Sequence, residues 1–321
     1  MKIYRKYLLL PLCFGLFLGL CECLAEEKKS VSPIKMSLSD ARPTGRLGDN
    51  RLVECSGMDT SLASDDLIWA INDNGHGPFI YAMRFDGRSM GRVLVVGAQN
   101  RDWEGIDTFL WQGRPMILIA DFGDNRERYD THTLYVVEEP ELEDDPFGES
   151  SIVTLAWRIV FSYPDRKHDA ESVFVDATDA KVFVLSKRDN PPLLFELPLK
   201  PAGHPIVAKK VAAVKHIPAP SEEDMLHKYG KYSSQPTSLD ISPDGRQAVV
   251  LTYKHAYVFN RKSNDSWAVA LTKYPETLLL PHPRDRSDFR QREAICFADG
   301  GEALLITSEG KSAAIFRLDH R

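Results

Sequence analysis

The hydrophobic pattern is one of short apolar runs of strand length, each closed by polar or turn-forming residues. LIWAIN at 67–72, MILIAD at 116–121, KVFVLS at 181–186, QAVVLT at 247–252 and ALLITS at 303–308 are such runs. Asp86-Gly87, Asp244-Gly245 and Asp299-Gly300 supply tight-turn signals between runs. Helical spacing is almost absent. PSEEDMLHKYGKY, residues 220–232, suits one or two helical turns and little else does. The chain is therefore expected to be all-β.

The runs repeat. Each second-strand run follows a segment that aligns with four others: ECSGMDTS from Glu54, DWEGIDTF from Asp102, DAESVFVD from Asp169, QPTSLDIS from Gln235 and QREAICFA from Gln291. One column reads Ser56, Glu104, Glu171, Thr237, Glu293. The next is always small: Gly57, Gly105, Ser172, Ser238, Ala294. The next is always apolar: Met58, Ile106, Val173, Leu239, Ile295. A third strand follows in every unit, as in FIYAMRFDG and HTLYVVEEP. Four-stranded units joined by loops of variable length are the pattern of propeller blades. The sequence thus predicts a five-bladed β-propeller whose last blade is completed by the N-terminal segment PIKMSLSD, 33–40. A sixth blade is the alternative, and 138–168 and 216–234 are the stretches long enough to hold it.

The first strand of each blade lines the central channel, so the aligned column becomes a ring. Glu104, Glu171 and Glu293 then converge, with hydroxyls from Ser56 and Thr237. Unpaired carboxylates in a narrow channel repel and resist ionisation. A hard cation removes that cost, and an oxygen-only donor set suits Ca²⁺ better than Zn²⁺. The ion would be mainly structural, tying the blades together. The alternative is a water-filled channel whose glutamates pair with a neighbouring cation, Arg292 first among them. Trp103 is expected as a wedge between blades, with a stacking platform at the mouth as its other reading.

Second strands end where first strands begin, so their polar ends meet at one mouth. Asp73, Asp121 and Asp124 are candidates to orient water or a second metal there, with His168 as general base. Asn72, Asn125, Arg126, Lys187, Arg188, Tyr253, Lys254 and Glu309 are candidates to hold an anionic ligand. NDNG and GDN also fit plain Asx turns. Two function classes stay open: a metal-dependent hydrolase of phosphate esters or another anionic substrate, and a non-catalytic propeller binding a glycan, peptide or surface partner.

Composition adds little: the net charge of −6 offers no basic excess for nucleic acid. Lys2, Arg5 and Lys6, the run LLLPLCFGLFLGL and Ala25 before Glu26 read as an export signal cut after Ala25. Leu20 ahead of Cys21 argues against a lipoprotein. Residues 26–321 are then expected as one secreted or periplasmic monomeric domain without a membrane span. The two remaining cysteines, Cys55 and Cys296, fall four residues out of register on adjacent inner strands. That is about 13 Å, too far for a disulfide. The acidic stretch EEPELEDDPFGES is expected as a solvated loop.

The order hydroxyl, Glu, Glu, hydroxyl, Glu over five units resembles the calcium-activated nucleotidase (apyrase) family. The resemblance implies a five-bladed propeller with an axial Ca²⁺ held by Ser56, Glu104, Glu171, Thr237 and Glu293, with Thr237 in place of a serine. It covers the inner strands, not the loops. SGMDTSLASDDLIWAINDNG, DWEGID, IADFGDNRER and LYVVEEP together also resemble a group of exported bacterial propeller proteins of little-described function. A looser similarity runs to phytase-like esterase propellers.

Overall fold

The computed structural model describes residues 41–141, 151–203, 205–280 and 291–319. It contains five antiparallel four-stranded units. Blade 1 is β2 (Cys55–Thr60), β3 (Leu67–Asn72), β4 (Phe79–Arg84) and β5 (Ser89–Val96). Blade 2 is β6 (Trp103–Trp111), β7 (Arg114–Asp121), β8 (His132–Glu138) and β9 (Ile152–Ser162). Blade 3 is β10 (Ala170–Asp176), β11 (Lys181–Ser186), β12 (Leu193–Pro198) and β14 (Lys209–Ala213), with the short β13 (Ile206–Val207) lying parallel to β9. Blade 4 is β15 (Pro236–Ile241), β16 (Gln247–Thr252), β17 (Ala256–Asn260) and β18 (Glu276–Leu278). Blade 5 is β19 (Arg292–Ala298), β20 (Ala303–Ser308), β21 (Ala314–Asp319) and, outermost, β1 (Arg42–Arg46). The inner strands β2, β6, β10, β15 and β19 each touch the next, and β19 touches β2. The ring is closed and has five blades.

Closure by the N-terminal end holds, but the strand differs from the expected one. β1 is Arg42–Arg46, paired antiparallel with β21 from Arg42↔Arg317 to Arg46↔Ala314. The segment 33–40, like residues 1–25 with the expected export signal and residues 142–150 of the acidic stretch, lies outside the described residues. Among the described residues neither suspect stretch holds a sixth blade. Within 138–168 the chain makes β9, whose first residues also pair parallel with β5 and so fasten blade 1 to blade 2. Residues 216–234 form a cap described below.

The core explains why second strands are apolar on both faces. Each blade is covered on either side by a neighbour, so alternation has no polar side. Along β7, Ile117 and Ile119 pack with Trp69 and Ile71 of blade 1, while Leu118 and Ala120 pack with Val173 and Val184 of blade 3. Similar layers separate blades 3 and 4 (Phe174, Val250), 4 and 5 (Val249, Ile295) and 5 and 1 (Cys296, Met58). Trp103 is fully buried in the layer between blades 1 and 2, its indole N–H donating to the Gln99 carbonyl at 2.8 Å. It is the wedge, not a platform at the mouth. Cys55 and Cys296 are free and buried.

Candidate functional site

All five residues of the aligned column have one backbone feature in common. The inner-to-second-strand ladder skips one residue in every blade: Ser56, Glu104, Glu171, Thr237 and Glu293 are the residues left out. A β-bulge bends its strand and re-aims the unpaired side chain. Five bulges in one register therefore collect these side chains on the channel, and all five are buried.

Ser56 Oγ donates to Glu104 Oε2, and Lys187 Nζ donates to Glu171 Oε1 and, at 2.9 Å, to the Tyr253 hydroxyl oxygen. Among the described residues Glu171 Oε2 and Thr237 Oγ1 are buried with no hydrogen-bond partner. Oxygens left bare in this way are costly unless something binds them. Burial first, then the Glu171 and Asp73 charges, lifts Glu104 well above the usual carboxylate range. Burial and Glu171 do the same to Glu293. Glu171 is pushed up to about 7 by burial, against the pull of Lys187. For Lys187 burial acts downward, but Glu171, Glu293, Tyr253 and Glu104 outweigh it and hold the ammonium pKa well above its ordinary value.

Among the described residues one glutamate of the ring, Glu171, is ion-paired, and its cation is Lys187. Arg292 is fully buried, and its Nη1 donates to the carbonyls of Tyr253 and Lys254 at 2.8 and 2.5 Å. It fastens the turn after β16 instead.

The channel opens into a cavity of about 770 Å³. Of the residues expected at the mouth, Asp73, Asn125, Lys187, Arg188, Tyr253, Lys254 and Glu309 line it, together with Glu104, Glu171 and Glu293. Asp73, Asp102 and Glu104 can bring one oxygen each within 4.8 Å of one another, a second oxygen cluster on the wall. Asp102 is pushed up to about 7 by burial and by Asp73. Glu309 accepts from Gln291 Nε2 at 2.7 Å and is also pushed to about 7, by burial and then the Asp73 and Glu54 charges. Arg188 donates to Asp169 at 2.6 Å and to Asn125, and Lys254 to Asp224 at 2.7 Å.

Five expected mouth residues are not part of that lining. Asn72 is buried in blade 1, accepting from the Val53 and Glu54 amides and donating to the Arg51 carbonyl. Asp121 accepts the Asp102 amide at 2.8 Å and sits under the wall. Asp124 spends both carboxylate oxygens on the Arg128 and Tyr129 amides, at 2.7 and 2.8 Å, tying down the turn that follows it. Arg126 is exposed beside that turn. His168 has no exposed side-chain surface. It is gripped between Asp189 and Asp165, both at 2.8 Å, and packed on Tyr163 and Phe195. Burial works against its charge, but the two carboxylates prevail and raise its pKa.

Two parts of the site escaped sequence reading. The first is a cap over the mouth, built by α1 (Glu222–Met225) and the turn Gly230–Tyr232, which adds Asp224, His227, Lys228, Tyr229, Tyr232, Ser233 and Gln235 to the lining. A capping box between Ser221 and Asp224 starts α1. Gly230 lets the chain return over it, since a Cβ there would sit 1.6 Å from the Asp224 carbonyl oxygen. The helix-like sequence was visible, but nothing in it said where the helix would sit. The second is a deeper acidic ring. Asp59, Asp107 and Asp240, three positions beyond the bulge in blades 1, 2 and 4, can place one oxygen each within 4.8 Å of one another, all buried. Each also accepts a backbone N–H of the following blade's inner strand: Thr108 at 2.6 Å, Val175 at 3.1 Å and Phe297 at 2.7 Å. The sequence carries these three acids in one column, but nothing in it says that they meet.

No family model matches the chain, and no curated protein matches it. Among solved structures it is similar to a chain of a nidogen/laminin complex, at 12% identity and a TM-score of 0.44, over 80% of this chain and 73% of that one. Among the described residues no helix is long and apolar enough to cross a membrane.

Proposed function

We propose that the channel mouth binds a hard divalent cation, Ca²⁺ first, and with it holds and hydrolyses a small anionic ester, a phosphate ester being the foremost class. The observation that supports this reading is the ring itself. Three buried glutamates stand on one ring, only Glu171 of them ion-paired with Lys187, and Glu171 Oε2 and Thr237 Oγ1 stand without partners among the described residues. Oxygen donors of this kind fit a hard cation. Ser56, Glu104, Glu171, Thr237 and Glu293 would hold it. The cation would supply Lewis-acid polarisation of the ester.

The chain's own residues do the rest. Lys254 and Arg188 border the cavity and hold the anion, each steadied by a carboxylate behind it. The cap limits the ligand to a small one. Glu309, its pKa close to neutral, takes the proton from the attacking water.

One observation favours a second reading, a non-catalytic binder of an extracellular ligand. His168, the expected base, is locked into an ion-pair network away from the cavity. Metal content of the purified protein and phosphate release from a panel of phosphate esters, with and without Ca²⁺, separate the two. The hydrolase reading expects one equivalent of Ca²⁺, lost in Glu104→Gln, and turnover that depends on it. Bound Ca²⁺ with no turnover on any ester transfers the site to the second reading. No bound cation removes both.

A further inference from the structure

We propose that Lys187 is the resident counter-ion of the glutamate ring, and that a divalent cation and an anionic ligand bind the mouth as a coupled pair because the cation drives this ammonium outward to meet the anion. The proposal rests on the cation reading above, and goes beyond it to the order and mutual dependence of binding.

The geometry is specific to this side chain. Lys187 follows the last residue of β11, and only 6% of it is exposed. Its Nζ holds Glu171 Oε1 and, at 2.9 Å, the Tyr253 hydroxyl. It lies 5.2 Å from the centre of the Tyr253 ring. Lys187, Glu171 and Tyr253 all border the cavity, along with Arg188 and Lys254. A divalent cation held by Glu104, Glu171 and Glu293 contends with Lys187 for the same carboxylate. Two cations that close in a buried channel repel strongly.

Lysine is suited to give way. Its charge sits on a flexible four-carbon stem with rotatable donors, unlike the fixed fork of an arginine. Letting go of Glu171 leaves it the Tyr253 hydroxyl and the cavity. There it joins Arg188 and Lys254, and an anion gains a third cationic partner. Read in reverse, an anion that draws Lys187 outward clears Glu171 for the cation. Linkage requires both effects to have the same size.

The test is calorimetric titration of the full chain with Ca²⁺ alone, with sub-millimolar inorganic phosphate alone, and with each in the presence of the other. In the wild type, Ca²⁺ tightens phosphate binding at least tenfold, and phosphate tightens Ca²⁺ binding by the same factor. Lys187→Met binds Ca²⁺ alone at least tenfold more tightly, and its linkage factor falls at least fivefold. Lys187→Gln, which keeps polar character without charge, does the same. A merely structural lysine would weaken Ca²⁺ binding when removed. Ca²⁺ affinity that is unchanged or weaker in both variants overturns the proposal and leaves the cation site standing, as does an unchanged linkage factor. Absence of Ca²⁺ binding in the wild type and in both variants overturns the cation reading and this proposal together.

Discussion

Asp59→Asn should change how the stability of this propeller depends on pH. Asp59 is buried beside Asp107 and Asp240, and its pKa is pushed from 3.8 to about 7, first by burial and last by the charge of Glu139, against hydrogen bonds from Thr108 and Thr60. A raised carboxyl pKa means that the folded chain holds the proton more tightly than the unfolded chain. The stabilisation is complete below about pH 4 and is lost as pH rises to about 7. Three units at about 1.4 kcal/mol each make about 4 kcal/mol. For a domain of this size that is a fall of roughly 8 °C in melting temperature. The asparagine removes the titration but turns an N–H₂ toward one of two amides that Asp59 accepts, Thr60 and Thr108. That mismatch costs about 1–3 kcal/mol at every pH. The variant should therefore melt below the wild type at pH 4.5 and draw level with or pass it by pH 8. Calorimetric or dye-monitored melting from pH 4.5 to 8.5 in chelator measures this, since a bound cation would stand in for the proton. Parallel curves for the two proteins across the whole range would refute the reasoning.

Further outcomes follow from other contacts. Arg292→Met strips the carbonyls of Tyr253 and Lys254 of their donor. It should cost about 1–3 kcal/mol for each acceptor left bare, read as a lower urea midpoint with faster amide exchange over 252–255. Gly105→Ala puts a Cβ 2.7 Å from Val173 Cγ1, across the blade 2–3 junction. A loss of about 1–3 kcal/mol is expected, and Val173→Ala in the same chain should restore part of it; a double variant no better than the single one would remove this explanation. Glu139 binds Trp69 Nε1 at 2.7 Å, the Leu62 amide at 3.0 Å and the Ser61 hydroxyl. Glu139→Ala should cost roughly 2–4 kcal/mol by leaving these donors unmade, and denaturant melts would show an unaltered midpoint if the contacts carry nothing.

Much of the architecture was legible because crowding on the axis leaves its mark in sequence. The small column Gly57, Gly105, Ser172, Ser238, Ala294 is what inner strands in contact require, and it carried the count of five. The closing strand was misplaced because RPTGR, on the outer edge of blade 5, is half exposed and has no apolar rhythm to recognise. The bulges were invisible because a bulge belongs to two strands and a one-strand alignment cannot see it. At the mouth, residue type was read correctly but its use was not. A polar residue at a strand end serves a turn, a neighbouring strand or a ligand with the same chemistry. Asp124 went to a turn, Asn72 to its own blade and His168 to an ion-pair network, while Lys187 went further inward than a rim residue would.

The five bulges also separate two kinds of constraint. A residue omitted from the ladder contributes no strand-pairing register, so exchanging it leaves the pairing on either side intact. Serine, threonine and glutamate already occupy equivalent places around the axis of this one chain. The throat can thus be rewritten one side chain at a time, so its charge and its set of donors are a matter of five letters on a frame that need not be rebuilt for each new choice.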